Sequence, residues 1–354
     1  MKKALFIAAA AAALVAFASC TKVEKAAEPQ QAIGFQVASY AAQTKADATV
    51  SILGETDSFT TYAWQYANDS FTAFMNPETI APDSKTDPTE WAPSHVYYWP
   101  KTGYINFYSY YGSQAPAVTN GTLKYEGKTI AATDNLVFAN PAFNQTQNLS
   151  LYKKNSVSAG VPTLFHHALC QIAFDIKAGK TTDEDGTTWE ITVDEAKVVV
   201  DNKGTLSLSK TLPAATAEAS NPEWDVISNT SKPLVGWTPA ESTETIAMTA
   251  LGTNKITTTA QDLLAYRAAM PQVLDDTNVF TIKYTIVTKY EGTKYAQETI
   301  TTSAKLTDFS DAITEWDMNK KIIYHVTITP GSDKILFDPA VVDWVPVTGG
   351  TISL

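Results

Sequence analysis

Apolar and polar positions alternate near the start of the chain, in the sequence QAIGFQVASYAAQTKAD at residues 31–47. Ile33, Phe35 and Val37 fall on one face of a strand with this period of two, and small or polar residues fall between them. The pattern predicts a half-buried β-strand. Both flanks of this strand are unusual, because a cysteine in an export signal lies upstream and a basic residue suited to proteolysis lies downstream.

Short alternating runs recur along the chain, separated by turn-forming residues, and amphipathic helix patterns are lacking apart from one possible turn at Ala260–Tyr266. In the first half, strands are predicted at Thr49–Leu53, Phe59–Tyr66, Val96–Trp99, Tyr104–Tyr111, Asn135–Ala139, Val161–Ile176, Glu190–Val200 and Gly204–Ser209. In the second half, they are predicted at Thr245–Leu251, Tyr266–Val273, Val279–Thr288, Ala296–Ala304, Lys321–Ile328, Lys334–Trp344 and Thr351–Leu354. This spacing predicts an all-β fold of sandwich type.

The connections between these runs suggest how the domains are divided. Residues 76–94 contain four prolines and are predicted to form a loop, and Val96–Trp99 is predicted to form a hairpin with Tyr104–Tyr111. Residues 112–160 are predicted to be mostly loop around the strand at Asn135–Ala139. A short turn makes Val161–Ile176 and Glu190–Val200 predicted hairpin partners, which keeps them in one domain. Residues 211–243 are rich in Pro, Ala, Ser, Thr and Asn and mark the expected boundary. We therefore expect one β-sandwich domain at 46–211 and a second, in tandem, at 212–354.

The first 20 residues, MKKALFIAAAAAALVAFASC, have the features of a secretory signal. Two lysines precede an apolar run that is short for a membrane span, and small residues precede Cys20. This ending resembles a bacterial lipobox, in which the cysteine is acylated, for example with palmitate, and anchors the protein in the outer membrane. A plain signal peptide with a chance cysteine is the alternative. After the signal, residues 21–45 are predicted to form a flexible polar linker followed by the first strand.

Charge and motifs exclude several functional classes. The formal charge is −11, and loss of Lys2 and Lys3 with the signal makes it −13, so nucleic acid and anionic lipid headgroups are poor partners. No catalytic motif, phosphate-binding glycine loop or metal-ligand spacing is recognisable in the sequence. We therefore predict no enzyme activity, no cofactor and no metal site, and we interpret Cys170 as a buried small residue.

The four histidines and several acidic or aromatic runs are candidate binding sites. His166 and His167 would point to opposite faces of a strand and could not jointly hold a metal. The acidic run at 183–186 lacks the glycine spacing of an EF-hand and is interpreted as a solvated turn. Aromatic pairs at 97–98 and 110–111 could stack on sugars, although one core-facing and one exposed ring in each pair is the preferred interpretation.

The remaining functional feature of the sequence is a first strand that could be removed and replaced. Thr44-Lys45-Ala46 offers a cleavage point between Lys45 and Ala46, immediately after the first strand. Removal of the strand that carries Ile33, Phe35 and Val37 would leave an apolar groove with unpaired backbone on its walls, which is a template for another strand. If a neighbouring copy supplied that strand, the contact would be head-to-tail and a filament would grow.

The donor strand is expected in the sequence VVDWVPVTGGTISL at 341–354. Ile352 and Leu354 alternate there on one face, and Val345 and Val347 form another apolar pair upstream. These residues could instead complete the sheet of their own domain.

The chain resembles the fimbrillin family, the lipoprotein precursors of type V pili and related surface lipoproteins. The resemblance rests on the order of several segments: Cys20, IGF (33–35), TKA (44–46), YYWPKTGYINFYSYY (97–111), VPTLFHHALCQIAF (161–174), YRAAMPQVL (266–274), WDMNKKIIYHVTI (316–328) and ILFDPAVVDWV (335–345). It implies two transthyretin-like β-sandwich domains, export as a lipoprotein, proteolytic loss of the first strand and strand exchange between subunits.

The resemblance leaves two functions open. The family commonly has arginine where this chain has Lys45, so a protease that accepts lysine would be required. A trimmed chain would be a pilin of the fimbrial shaft that associates with identical or related subunits. An uncut chain would remain a lipid-anchored tip or anchor subunit, or an adhesin for host glycan or protein.

Overall fold

The computed structural model describes residues 31–39, 53, 57–82, 91–146, 160–209, 237–240, 242–249, 251–308, 313–331 and 335–343. All regular secondary structure in these ranges is β-strand, as the alternating pattern predicts. The described ranges contain no helix with the length and apolar character needed to cross a membrane. The first ten strands are β1 (Phe35–Ser39), β2 (Phe59–Ala67), β3 (Ser70–Pro82), β4 (Trp91–Pro93), β5 (Tyr104–Tyr111), β6 (Ala117–Thr119), β7 (Thr122–Thr129), β8 (Val137–Ala139), β9 (Ala142–Gln145) and β10 (Val161–His167).

Thirteen further strands follow in the described ranges. They are β11 (Cys170–Ala178), β12 (Thr187–Asp201), β13 (Lys203–Ser209), β14 (Trp237–Pro239), β15 (Thr243–Ala247), β16 (Lys255–Ile256), β17 (Gln261–Ala269), β18 (Gln272–Val273), β19 (Val279–Tyr290), β20 (Thr293–Lys305), β21 (Glu315–Trp316), β22 (Lys320–Ile328) and β23 (Ile335–Asp343).

The first sheet has eight strands in the order β2-β3-β4-β1-β10-β8-β5-β9. Because β2 also pairs with β5, seven of these strands form a closed circuit of neighbours, with β9 attached to it. β1 is one link of the circuit. It runs parallel to β10 and meets β4 at an antiparallel pair between Phe35 and Trp91. The inward side chains form the first hydrophobic core, to which Phe59, Phe107 and Phe165 contribute.

Two other sheets enclose a second core. Their strand orders are β17-β11-β22-β23 and β15-β12-β19-β20, and β16 pairs with β12 beside the second of them. Phe174 of β11 stacks on Phe280 of β19, with ring centroids 5.4 Å apart, and on Tyr324 of β22 at 4.8 Å. Since side chains from both sheets belong to one buried cluster, this part of the chain is a β-sandwich.

A third buried cluster joins strands from both halves of the chain. The sheet β14-β13-β7-β6 contributes Leu123 and Trp237, and β5 contributes Tyr108. The indole N–H of Trp237 donates a hydrogen bond to the carbonyl of Ala168, at 2.7 Å. This sheet therefore covers the outer face of the first sheet near β5.

The predicted hairpin between Val161–Ile176 and Glu190–Val200 is wrong. β10 ends at His167 and belongs to the first sheet, whereas β11 begins at Cys170, and β11 and β12 lie in different sheets of the second core. Ala168 and Leu169, between β10 and β11, are fully buried, so the apolar run continues through the change of sheet and gives no sign of it. The division at 211/212 remains a prediction, and the shared core of β11, β12 and the later strands favours a division near Ala168.

Four local predictions are also wrong. The expected loop at 76–94 contains the end of β3 and all of β4, and its first proline, Pro77, falls where the β2–β3 register shifts, a position at which no N–H is needed. Residues 96–99 form no strand and therefore no hairpin with Tyr104–Tyr111, which pairs with β2, β8 and β9 instead. The expected helical turn at Ala260–Tyr266 falls largely within β17. The stretch 112–160, expected to be mostly loop around one strand, also holds β6, β7 and β9.

Candidate functional site

The first strand lies in a slot between β4 and β10. Ile33 and Phe35 are each only 2% exposed, and Val37 packs against the same core. The half-buried strand predicted from the alternation is therefore present, and it fills an interior position of the sheet. Displacement of this strand remains a prediction.

Phe35 occupies an aromatic pocket at the centre of the slot. Its ring meets Phe59 edge to face, with centroids 5.7 Å apart, and Phe107 in the same way at 5.6 Å. Phe59 in turn contacts Trp91 of β4 and Phe165 of β10, at 5.8 and 5.2 Å. The ring of Phe35 thus connects both walls of the slot through Phe59, and edge-to-face pairs add to the energy of burial.

Backbone hydrogen bonds hold the strand on both sides. The N–H of Val161 donates to the carbonyl of Gly34 at 2.8 Å, and five residues of β1 pair in parallel register with β10. On the opposite side, the N–H of Ile33 donates to the carbonyl of Tyr97 at 2.8 Å. The N–H of Trp99 donates to the carbonyl of Gln31 at 3.0 Å. Residues 94–99, which we call the strap, therefore form part of the wall beside β4.

Gly160 allows the backbone of β1 to approach closely. A Cβ atom at this position would lie 2.8 Å from the carbonyl carbon of Phe35, 2.9 Å from the nitrogen of Gln36 and 3.0 Å from the oxygen of Gly34. Real Cβ atoms do not come so near to backbone, so only glycine fits here without displacing the strand. By contrast, a Cβ at Gly34 would make an ordinary 3.6 Å contact with the carbonyl oxygen of Trp91.

A buried carboxylate fixes the strap. Glu78 of β3 is 7% exposed and accepts hydrogen bonds from the Ser94 hydroxyl, from the His95 N–H at 3.2 Å and from the Tyr97 hydroxyl at 3.1 Å. Its carboxylate also lies 3.1 Å from Nδ1 of His95. Desolvation raises the pKa of Glu78, but the hydrogen bonds from Ser94, His95 and Tyr97 outweigh it and hold the pKa below its ordinary value. The strap is therefore held by a charged acceptor.

Burial keeps the histidines and the cysteine of the β10–β11 region from reacting readily. Desolvation lowers the pKa of His166 to about 4 and, with the nearby charges of His166 and Lys321, lowers that of His167 to about 3. Nδ1 of His167 shares a 2.8 Å hydrogen bond with Asn135, whereas the ring of His166 packs near Phe138. Cys170 is fully buried, as predicted, and burial raises the pKa of its thiol.

The other candidate sites show structural roles. Tyr97 faces the core and Tyr98 is half exposed, as expected for a strand-like pair. Asp183 begins an exposed turn, where it pairs with Lys180 at 3.0 Å. Among the described residues, no three His, Cys, Asp or Glu side chains gather as metal ligands would.

Several predicted functional residues lie outside the described ranges. They are the lipidation residue Cys20, the cleavage residues Lys45 and Ala46, and the donor residues Val345, Val347, Ile352 and Leu354. Their roles remain predictions. Conversely, Glu78 and Gly160 were not identified from the sequence pattern. A glycine directly before an apolar strand was the one available signal for Gly160, whereas the partners of Glu78 come together only through the strap.

A family model described as fimbrillin-like matches residues 42–344. A crystal structure of a fimbrial protein from Bacteroides vulgatus is similar with 17% identity and a TM-score of 0.50, covering 89% of this chain and 99% of that one. The tip fimbrial protein Mfa3 from Porphyromonas gingivalis has 11% identity and a TM-score of 0.41, with 89% of this chain and 100% of that chain covered. No match was found among curated proteins.

Proposed function

Because this chain belongs to the fimbrillin-like family, we propose that it is a shaft subunit of a fimbrium on the cell surface. It is exported as a lipoprotein acylated at Cys20 and is trimmed between Lys45 and Ala46. It then polymerises when a strand from the segment after β23 of another copy replaces its own first strand. The partners are thus further subunits of the same or a related kind, the outer membrane through the acyl anchor, and a processing protease.

The position of β1 in the closed circuit is the observation that supports this proposal. Its neighbours β4 and β10 are distant in the sequence, so no tight turn ties the strand to either of them. It lies near the N-terminal end of the described chain, upstream of Lys45. A single cut there would separate this link from the rest of the fold.

The energetics favour a replacement for the lost strand. Burial of each large apolar side chain, such as Ile33 or Phe35, contributes about 1.5–3 kcal/mol, and each ladder hydrogen bond adds roughly 1 kcal/mol. The total is comparable with the stability of a domain, about 5–15 kcal/mol. A subunit without β1 would have an open apolar groove and two unpaired edges, at β4 and β10. The strand of a second copy would satisfy both.

Trimming and assembly can be tested together. The chain from residue 21 is purified and treated with trypsin under limiting conditions, and mass spectrometry identifies the product that begins at Ala46. We expect this product to form filaments visible by electron microscopy, whereas the Lys45→Gln chain, which cannot be cut there, stays monomeric in light scattering. Equal assembly of the trimmed and uncut chains would refute the proposal.

The state of Lys45 on the cell separates the shaft role from the alternative. Mass spectrometry of the N-terminus of surface protein would find a free Ala46 in a shaft subunit. It would find acylated Cys20 in a tip subunit, an anchor subunit or an adhesin that remains in the outer membrane.

A further inference from the structure

The slot of β1 discriminates between the two apolar pairs that follow β23 in the sequence. We infer that Ile352-Ser353-Leu354, and not Val345-Pro346-Val347, enters the deep part of the slot in place of Phe35-Gln36-Val37. The inference rests on the proposed strand exchange, in which a second copy of this chain supplies the replacing strand.

The first requirement comes from the ladder with β10. Phe35 is opposite Val161 in parallel register, and the N–H of Val161 donates to the carbonyl of Gly34, the residue before Phe35. In a parallel ladder, the carbonyl of Val161 then accepts a hydrogen bond from the backbone N–H of the residue after Phe35. The N–H of Gln36 is therefore directed at Val161. A replacing strand needs an N–H at this place, since an unpaired buried carbonyl costs free energy.

The second requirement is steric. The nitrogen of Gln36 lies so close to Gly160 that a Cβ there would be 2.9 Å from it. In proline, the backbone nitrogen carries a ring carbon instead of a hydrogen. A proline at the place of Gln36 would push this ring towards Gly160 and would also lack the hydrogen bond to Val161.

The two apolar pairs differ at this position. Val345 and Val347 are separated by Pro346, so a strand that directs them to the places of Phe35 and Val37 would put the proline at the place of Gln36, against Gly160. Ile352 and Leu354 are separated by Ser353, which has the N–H and a small polar side chain. Gln36 is itself a polar residue between two inward-facing residues.

The replacing strand runs in the direction of β1. Ile352 then takes the place of Phe35, in the pocket lined by Phe59 and Phe107, and Leu354 takes the place of Val37. Both side chains are apolar, as this pocket requires.

Two matched variants test the inference in the trimmed chain. Ser353→Pro introduces at the second pair the feature that excludes the first, and we expect it to slow filament growth at least tenfold. Pro346→Ala removes the proline from the first pair, and we expect growth within twofold of the unaltered chain. Thermal melting before trimming shows whether either variant folds like the unaltered chain.

Peptides give a second measurement that does not depend on the folding of a variant. Added to freshly trimmed chain, the peptide GGTISL (349–354) should bind the slot and stop growth, and DWVPVT (343–348) should not. Undiminished growth of Ser353→Pro, or inhibition by DWVPVT alone, would overturn the inference while strand exchange stands. A trimmed, unaltered chain that stays monomeric would overturn the exchange and this inference with it.

Discussion

The ring of Phe35 meets the ring of Phe107 edge to face, with centroids 5.6 Å apart and planes at 86°. Phe107 belongs to β5, which pairs with neither β1 nor its neighbour β4. The contact therefore crosses the interior of the closed circuit. The first strand is held by its side chains as well as by its two ladders.

Loss of this ring should weaken the fold substantially. We expect Phe35→Ala to lower the free energy of unfolding of the untrimmed chain by about 3–5 kcal/mol, because a large buried side chain leaves a cavity. Denaturant unfolding measures the change. Tyr295→Ala is the control, since Tyr295 is 83% exposed on β20 and its loss should cost little. Similar midpoints for the two variants would contradict the proposed packing.

A methyl group at Gly160 should disturb the packing of β1 in its slot. We expect Gly160→Ala to destabilise the untrimmed chain by about 1–3 kcal/mol, because the new Cβ would collide with the backbone of Phe35 and Gln36. Gly34→Ala is the matched control on the strand itself. Its Cβ would make only a 3.6 Å contact, so its effect should be within about 1 kcal/mol. Thermal melting compares the stability of the two variants. Equal destabilisation by both substitutions would argue against the close approach of β1 to Gly160.

The strap should loosen when Glu78 loses its charge. The pKa of Glu78 in the fold lies below the ordinary value of 4.5, so its stabilisation is complete above that pH and is lost as the pH falls through the lower folded-state pKa. We expect Glu78→Gln to reduce stability at pH 7 by about 1–3 kcal/mol and to flatten the decline below pH 4.5.

Urea unfolding at several pH values measures both effects of Glu78. Glu126→Gln serves as the control, because Glu126 has an exposed side chain and pairs only with Lys124 among the ion pairs of the described residues. A Glu78→Gln profile that parallels that of the control would contradict this prediction.

The buried histidines should make the fold sensitive to mild acid. Burial lowers the pKa of His166 and His167 from 6.5 to about 4 and about 3, so between these values the unfolded chain binds protons that the folded chain does not. Stability is therefore complete above pH 6.5 and falls as the pH decreases, by roughly 1.4 kcal/mol per pH unit for each histidine.

Substitution of each histidine tests this linkage. We expect His166→Gln and His167→Gln to have a shallower dependence of unfolding free energy on pH between 6.5 and 4 than the unaltered chain has. An unchanged slope in both variants would mean that other groups cause the acid sensitivity.

Local alternation predicted individual strands well and their pairing poorly. β2, β5, β19 and β22 were all found close to their predicted ranges, because each alternates between a buried and a solvated face or forms a dense apolar run. Nothing local reveals that β1 pairs with β10, since that contact joins segments separated by most of the first sheet.

The misread segments have specific physical causes. Val96–Trp99 has the residue types of a strand, yet its backbone partners are residues of the first strand and its position depends on Glu78. The slot could be inferred from the sequence only through Ile33, Phe35 and Val37. Its walls could not, because Glu78 and Gly160 gain their roles from neighbours that are remote in the chain.

The link that β1 provides also bears on how such a subunit is handled before assembly. While the link is in place, β4 and β10 each have a partner on both sides, so these two described strands present no free edge to other chains. A precursor stored in this condition would be protected from premature aggregation on its way to the surface. In the proposed assembly, the cut would determine not only which molecules join a fibre, but when and where they begin to bind one another.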